Sequence, residues 1–273
     1  MLVGGEGGFQ ATMDASFQIG SNAASLHVMH AGGWSPLRGT EFAGDFSTPP
    51  FSGYAHLNQV DADGIVKHFK ARFDTPLGDI FLVPDFVELS GVSLSVELTQ
   101  EFPGGLYDRA IQAQGHMQIG GDTGFSATMS GDFDTAALTA SLNFKHAGGW
   151  SPFKDTLASF FQTPGFQGSL LLNQMVNGTH VYLDARFNTS LPNIPLIPSF
   201  VTISGLSLSG LLTLMQRDGL YSFIIHAAGV IRIGDIDGFD CTFSGSFDFG
   251  LNGMALDLFH IGGWSPVMGS LSV

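Results

Sequence analysis

The heptapeptide HAGGWSP fills residues 30–36, returns letter for letter at 146–152, and comes back as HIGGWSP at 260–266. Three such matches mark an internal repeat, and the flanking sequence extends it. GFQATMDASF (8–17) returns as GFSATMSGDF (124–133) and GFDCTFSGSF (238–247). LNQVDADGIVKHFKARFDTPL (57–77) returns as LNQMVNGTHVYLDARFNTSL (172–191), and FLVPDFVELSGVSLSVELT (81–99) as PLIPSFVTISGLSLSGLLT (195–213). GLYDRAIQAQGHMQIGG (105–121) returns more weakly as GLYSFIIHAAGVIRIGD (219–235). The spacing is 116 residues from His30 to His146 and 114 from His146 to His260. A solenoid coil takes about 20–45 residues, so each unit reads as a small domain. MLVGGEGGF (1–9) aligns with MQIGGDTGF (117–125), inside a strand. The reading is a first copy at 1–116, a second at 117–237 and a partial third at 238–273.

Within each copy the dominant pattern has period two, the mark of half-buried strands. Ala11, Met13, Ala15, Phe17 and Ile19 share one face against Thr12, Asp14, Ser16 and Gln18. Val92, Leu94, Val96 and Leu98 alternate with Ser93, Ser95, Glu97 and Thr99. The first copy yields six strands, near 9–19, 23–31, 53–60, 65–74, 91–100 and 106–119. Short turns such as DADG (61–64) and VNG (176–178) join neighbours as antiparallel hairpins.

Two segments per copy break the alternation. Ser-Pro after GGW is a helix start, so SPFKDTLASFFQT (151–163) reads as a short amphipathic helix with Phe153, Leu157, Phe160 and Phe161 inward. Its first-copy partner SPLRGTEFAGDFST (35–48) is broken by glycine. VPDFVEL (83–89) and IPSFVTI (197–203) read as a short turn or helix packed by Phe86 and Phe200. An apolar sheet face needs a cover, and these segments supply one. The expected fold is mainly β: two homologous antiparallel sheets of about six strands each, capped by short helices, plus an extra two-strand segment.

The heptapeptide carries the candidate site residues: His30, Gly32, Gly33, Trp34 and Pro36; His146, Gly148, Gly149, Trp150 and Pro152; His260, Gly262, Gly263, Trp264 and Pro266. A tryptophan beside a histidine suits a sugar platform. A structural corner suits the pattern better. His30 continues the inward register of Ala24, Leu26 and Val28, the glycines allow a sharp turn, Trp34 fills the corner, and Ser35-Pro36 starts the next element. Each copy needs a corner, whereas a catalytic site has no need of three.

Other motifs carry no chemistry on this reading. His27 and His30 form H-x-x-H, but a strand puts them on opposite faces. DADG (61–64) and DIDG (235–238) lack the oxygen ligands of a calcium loop, and GGEGG lacks the strand-and-helix setting of a dinucleotide loop. His116 is matched by Val230 and His56 by Leu171. Lone Cys241 stands where the other copies have Ala11 and Ala127, a small core position. The sequons at Asn177 and Asn188 matter only in a secreted chain. No nucleophile arrangement appears, so no enzyme and no metal or other cofactor are expected.

Composition narrows the partners. Charged residues make up only 12% against 44% hydrophobic, with 25 Phe and 37 Gly, and the formal net charge is −14. Disorder needs the opposite balance. Without a basic cluster, nucleic acid and anionic membrane surfaces are excluded as partners. No apolar run reaches the roughly 18 residues of a membrane span, and the N-terminus lacks signal-peptide character.

Two copies plus a fraction leave one hairpin unmatched, either 1–34 or 238–273. An unmatched hairpin is an exposed edge, and giving it to a neighbouring chain links molecules head to tail. The expected function is a non-enzymatic structural protein whose partner is itself, assembling through strand exchange and lateral sheet contacts. In organisation the chain resembles the algal pyrenoid shell proteins, in which two homologous β-rich halves tile into a protein sheet around the carbon-fixing compartment. That resemblance implies a chloroplast location and a removed transit peptide. Two alternatives stay open: a Phe-lined groove for a lipid-like ligand, and a fragment of an extracellular tandem-repeat adhesin.

Overall fold

Strands follow one another along the chain, as the period-two pattern requires. In this computed structural model, the described residues are 2–3, 9–18, 23–60, 66–102, 108–151, 162–176, 179–215, 221–234, 238–248 and 253–260. The first copy contributes β1 (Leu2–Val3), β2 (Phe9–Gln10), β3 (Thr12–Gln18), β4 (Ala23–His30), β5 (Phe51–Val60), β6 (Val66–Pro76), β7 (Ile80–Val83), β8 (Val87–Gln100) and β9 (Asp108–Ile119). The second contributes β10 (Phe125–Asp134), β11 (Thr139–His146), β12 (Phe166–Val176), β13 (Thr179–Ser190), β14 (Ile194–Ile197), β15 (Val201–Leu214) and β16 (Tyr221–Ile233). The third contributes β17 (Phe239–Asp248) and β18 (Gly253–Phe259).

Among the described residues these strands form one 16-stranded antiparallel sheet, with β1 and β2 paired separately. The hydrogen-bonded order is β18-β17-β16-β15-β13-β12-β11-β10-β9-β8-β6-β5-β4-β3, with β14 added on β15 and β7 on β8. The expectation of two separate sheets is therefore corrected. The cause lies in the junctions between copies. Ile119 and Phe125 face each other across a turn that contains only five residues, so the last strand of one copy pairs with the first strand of the next. Ile233 and Phe239 repeat the arrangement. By contacts the chain still divides into two compact units, residues 1–144 with 170–180, and residues 145–169 with 181–273.

The capping helices are corrected as well. Among the described residues the one helical element is a 3-10 turn, Gly121–Thr123. Residues 35–48 form successive turns, held by Thr40 N–H to Leu37 O and Phe46 N–H to Phe42 O, both 3.1 Å. Ser35 does cap, its hydroxyl accepting the Leu37 N–H at 3.2 Å, but Gly39 has a left-handed backbone (φ 93°) and stops a helix from propagating. The cover works without being helical. Leu37, Phe42 and Phe46 are fully buried, and the Phe46 ring meets Phe133 edge-on at 5.3 Å. VPDFVEL and IPSFVTI are tight hairpin turns, Phe86 N–H to Val83 O and Phe200 N–H to Ile197 O, with β7 and β14 as short strands that the alternation did not show. Of the expected helix at 151–163, residues 152–161 lie outside the described residues, as do the DADG turn and most of the VNG turn.

In the first unit β8 buries Val87, Leu89, Val92, Leu94, Val96 and Leu98 on one face. The alternation breaks once, at Gly91 (φ 56°), where the register with β9 shifts between Ser90 and Ser93. The second unit repeats this at Gly205 (φ 58°), between Ser204 and Ser207 of β15. Each is a β-bulge at a left-handed glycine, and each keeps the apolar face inward along a 14-residue strand.

Candidate functional site

The repeated corner is built at the ends of β4 and β11. In the first copy, His30 closes β4 and its Nδ1 lies 2.6 Å from Gln10 O. Its half-buried ring packs on Phe9 and Phe51, at 5.0 and 4.9 Å between centroids. Phe9 meets Trp34 edge-on at 5.6 Å. The chain then folds back on itself, with Gly33 N–H to Thr48 O and Thr48 N–H to Trp34 O, both 2.7 Å. Trp34, Ser35 and Pro36 are buried.

The second copy reproduces the arrangement. Gly149 N–H reaches Thr163 O at 2.8 Å, and Thr163 N–H reaches Trp150 O at 2.7 Å. His146 packs on Phe166 at 4.8 Å, and Trp150 meets Phe187 edge-on at 5.6 Å. In the third copy His260 Nδ1 lies 2.9 Å from Asp240 O, and its ring meets Phe239 at 5.1 Å. Pro152, Gly262, Gly263, Trp264 and Pro266 lie outside the described residues.

The double glycine is a steric requirement. Gly32 and Gly148 have φ of 96° and 113°. A β-carbon on Gly32 would come within 2.9 Å of Pro50 N, and one on Gly148 within 3.0 Å of Gly165 N. The corner is thus a place where the backbone of the returning loop presses on the end of the strand. The Trp34 and Trp150 indole rings are enclosed and offer no platform to a ligand.

Away from the corner, a cavity of about 830 Å³ opens on the polar face of β6, β8, β9 and β10. Its lining includes Arg72, Asp74, Ser95, Glu97, Gln112 and Asp132. Arg72 binds Asp74 with two hydrogen bonds, 3.1 and 3.3 Å, which hold that carboxyl below the usual carboxylate range. Gln112 Nε2 donates to Asp132 Oδ1 at 3.2 Å, and Lys70 lies 3.3 Å from Glu97. One repeat further along the chain Leu211 stands for Glu97, His226 for Gln112 and, in the third copy, Ser246 for Asp132, so the lining is not a repeated feature. The matching arginine finds a different acid, Arg186 to Asp184 at 2.7 and 2.9 Å.

The remaining candidates are dispersed. His27 lies on the polar face opposite Asp14 and Tyr54, while His30 turns to Phe9 and Phe51. His56 contacts Ser25 Oγ at 3.1 Å, and His116 faces Thr128. Cys241 is half-buried, and Asn188 is exposed on β13. GGEGG, Asn177 and most of DIDG lie outside the described residues. Among the described residues there is no group of three or more His, Cys, Asp or Glu placed to hold a metal, and no helix long and apolar enough to cross a membrane.

What the alternation alone could not locate is the outer limit of the sheet. β3 and β18 are the first and last strands of the order, and among the described residues neither has a partner strand on its outer side. Met13, Phe17, Leu258 and Phe259 are exposed there. No family model, curated protein or solved structure matches the chain.

Proposed function

We propose that the chain is a non-enzymatic structural protein that assembles with copies of itself through the edges of its sheet. The observation that carries this reading is the chemistry of the two outermost strands. Proteins that stay monomeric defend an edge with lysine, proline, a bulge or a covering loop. β3 reads TMDASFQ and β18 reads GMALDLF, with one Asp each and no Lys, Arg or Pro. Both leave large apolar side chains exposed, and among the described residues neither has a strand on its outer side. The low overall charge and the Ser, Thr and Gln of the polar face suit lateral contact between sheets. A lipid-like groove is the weaker reading, because Leu37, Phe42 and Phe46 already fill the space over the apolar face of the first unit. A shell around a carbon-fixing compartment is the form of assembly that the resemblance to pyrenoid shell proteins implies.

The test is light scattering across a concentration series, joined to negative-stain electron microscopy. The intact chain should give ordered filaments, tubes or sheets. Leu258→Lys, which defends the β18 edge, should shorten or abolish them. A monodisperse monomer at the highest concentration reached would overturn the reading.

A further inference from the structure

The first and third hairpins follow one plan to the residue. In β3–β4, Thr12 faces Met29, Ala15 faces Leu26 and Phe17 faces Ala24. In β17–β18 the same repeat positions pair: Thr242 with Phe259, Gly245 with Leu256 and Phe247 with Met254. The side-chain bonds agree too. Thr12 Oγ1 donates to Met29 O at 3.4 Å, and Thr242 Oγ1 to Phe259 O at 3.3 Å. His30 and His260 each approach the carbonyl that matches in the other hairpin, Gln10 O and Asp240 O.

Their surroundings differ. β4 is flanked by β5, with Ser25 opposite His56, Leu26 opposite Ala55 and His30 opposite Phe51. Nothing among the described residues flanks β18 on the side away from β17. The same repeat position is therefore 1% exposed at Val28 and 3% at Phe144, but 58% at Leu258. The deficit of β3–β4 lies on its other strand, where Phe17 is 71% exposed and its second-copy equivalent Phe133 is 7%. The middle hairpin β10–β11 is held on both sides, by β9 and by β12. Among the described residues each terminal hairpin is held on one.

From this we infer that β5 is the acceptor for the β17–β18 hairpin of a second copy, and that β3–β4 is a stand-in that fills this acceptor in the free chain. The inference rests on the self-assembly proposed above. Exchange replaces the β4–β5 pairing by an equivalent β18–β5 pairing, the low-cost situation of a swapped identical element. It seats one hairpin between β16 of its own chain and β5 of the next, which is how β10–β11 already sits. It also covers Leu258. Direct contact of β18 with the outer side of β3 has no such template, since the strand that flanks β10 on that side is β9. The β3–β4 hairpin is thus a cap against premature growth.

Two paired-cysteine chains test this, both full-length in a Cys241→Ser background. Ser25 and His56 are neighbours across β4 and β5, Oγ to Nδ1 3.1 Å. Ser25→Cys with His56→Cys ties the cap to the acceptor when oxidised. That chain should stay monomeric, and reductant should release it to assemble. Ala255 holds in the third copy the place of Ser25 in the first. His56→Cys with Ala255→Cys, oxidised after assembly, should give a ladder of covalent multimers on a non-reducing gel. An equal mixture of the two single variants should give mixed dimers alone. Particles that persist when the cap is tied, or that yield no ladder, would overturn the exchange and leave self-assembly standing. Absence of particles from the unmodified chain would overturn both.

Discussion

Gly32 and Gly33 stand side by side with left-handed backbones, φ 96° and 81°, yet their constraints differ. An added β-carbon on Gly32 strikes the Pro49–Pro50 backbone, while on Gly33 it meets nothing within 4 Å. Gly33→Ala should cost about 1–2 kcal/mol, the strain of an L-residue in that region. Gly32→Ala should cost distinctly more, because a backbone contact cannot relax by rotating a side chain. Urea denaturation of the two variants ranks them, and equal losses would show that the returning loop does not press on the corner. Asp134 offers a second residue-scale check. Its carboxylate accepts the N–H groups of Ala137 and Ala136 at 2.9 and 2.8 Å, which holds it below the usual carboxylate range. A carboxyl depressed in the folded state stabilises above its unfolded value of about 3.9, and that contribution disappears as pH falls through the folded value. Asp134→Asn should therefore lose less stability than the native chain between about pH 5 and pH 2.5, by a small margin because the side chain is exposed. At this scale the glycines and the tryptophan of the heptapeptide act within a few residues of one another, which is the range over which a sequence displays its own chemistry. The bond from His30 to Gln10 was not legible, because it joins positions 20 residues apart whose alignment only the hairpin register decides.

The segment 35–48 shows how an element can do the work assigned to it in another form. Its apolar positions were legible as a cover, and Leu37, Phe42 and Phe46 are fully buried. Its form, a run of turns, follows from Gly39, whose left-handed backbone stops the helix that Ser-Pro would otherwise start. Phe46→Ala removes a ring packed against Phe133 and should cost about 3–5 kcal/mol, read as a lower urea midpoint at unchanged slope. A loss below about 1 kcal/mol would show that the cover contributes little to the first unit. β7 and β14 were invisible to periodicity for a simple reason: four residues are too few to alternate. The merging of copies into one sheet was present in the sequence as the short turns IGGDTGF and IGDIDGF. A period near 115 residues drew the reading toward separate domains, whereas the tightness of the junction decides whether two strands become neighbours.

At the scale of the whole molecule, the strand order follows the chain with no crossing: every strand on the main path pairs with the next strand along it. That simplicity has an arithmetical consequence. Each complete copy adds six strands to the path, an even number, so the polypeptide leaves a copy at the same end of the sheet at which it entered. Copies are therefore interchangeable parts, and removing one should leave neither a reversed strand nor a face turned inside out. Excision of residues 31–146 joins His30 to Ala147 and preserves an intact HAGGWSP. The shortened chain should fold as an eight-strand path that unfolds cooperatively in urea. Excision of three strands in place of six should fail, because odd parity sends the next strand into the sheet from the wrong end. Gain or loss of whole copies then requires no new turn, and chain length is free to drift in steps of six strands.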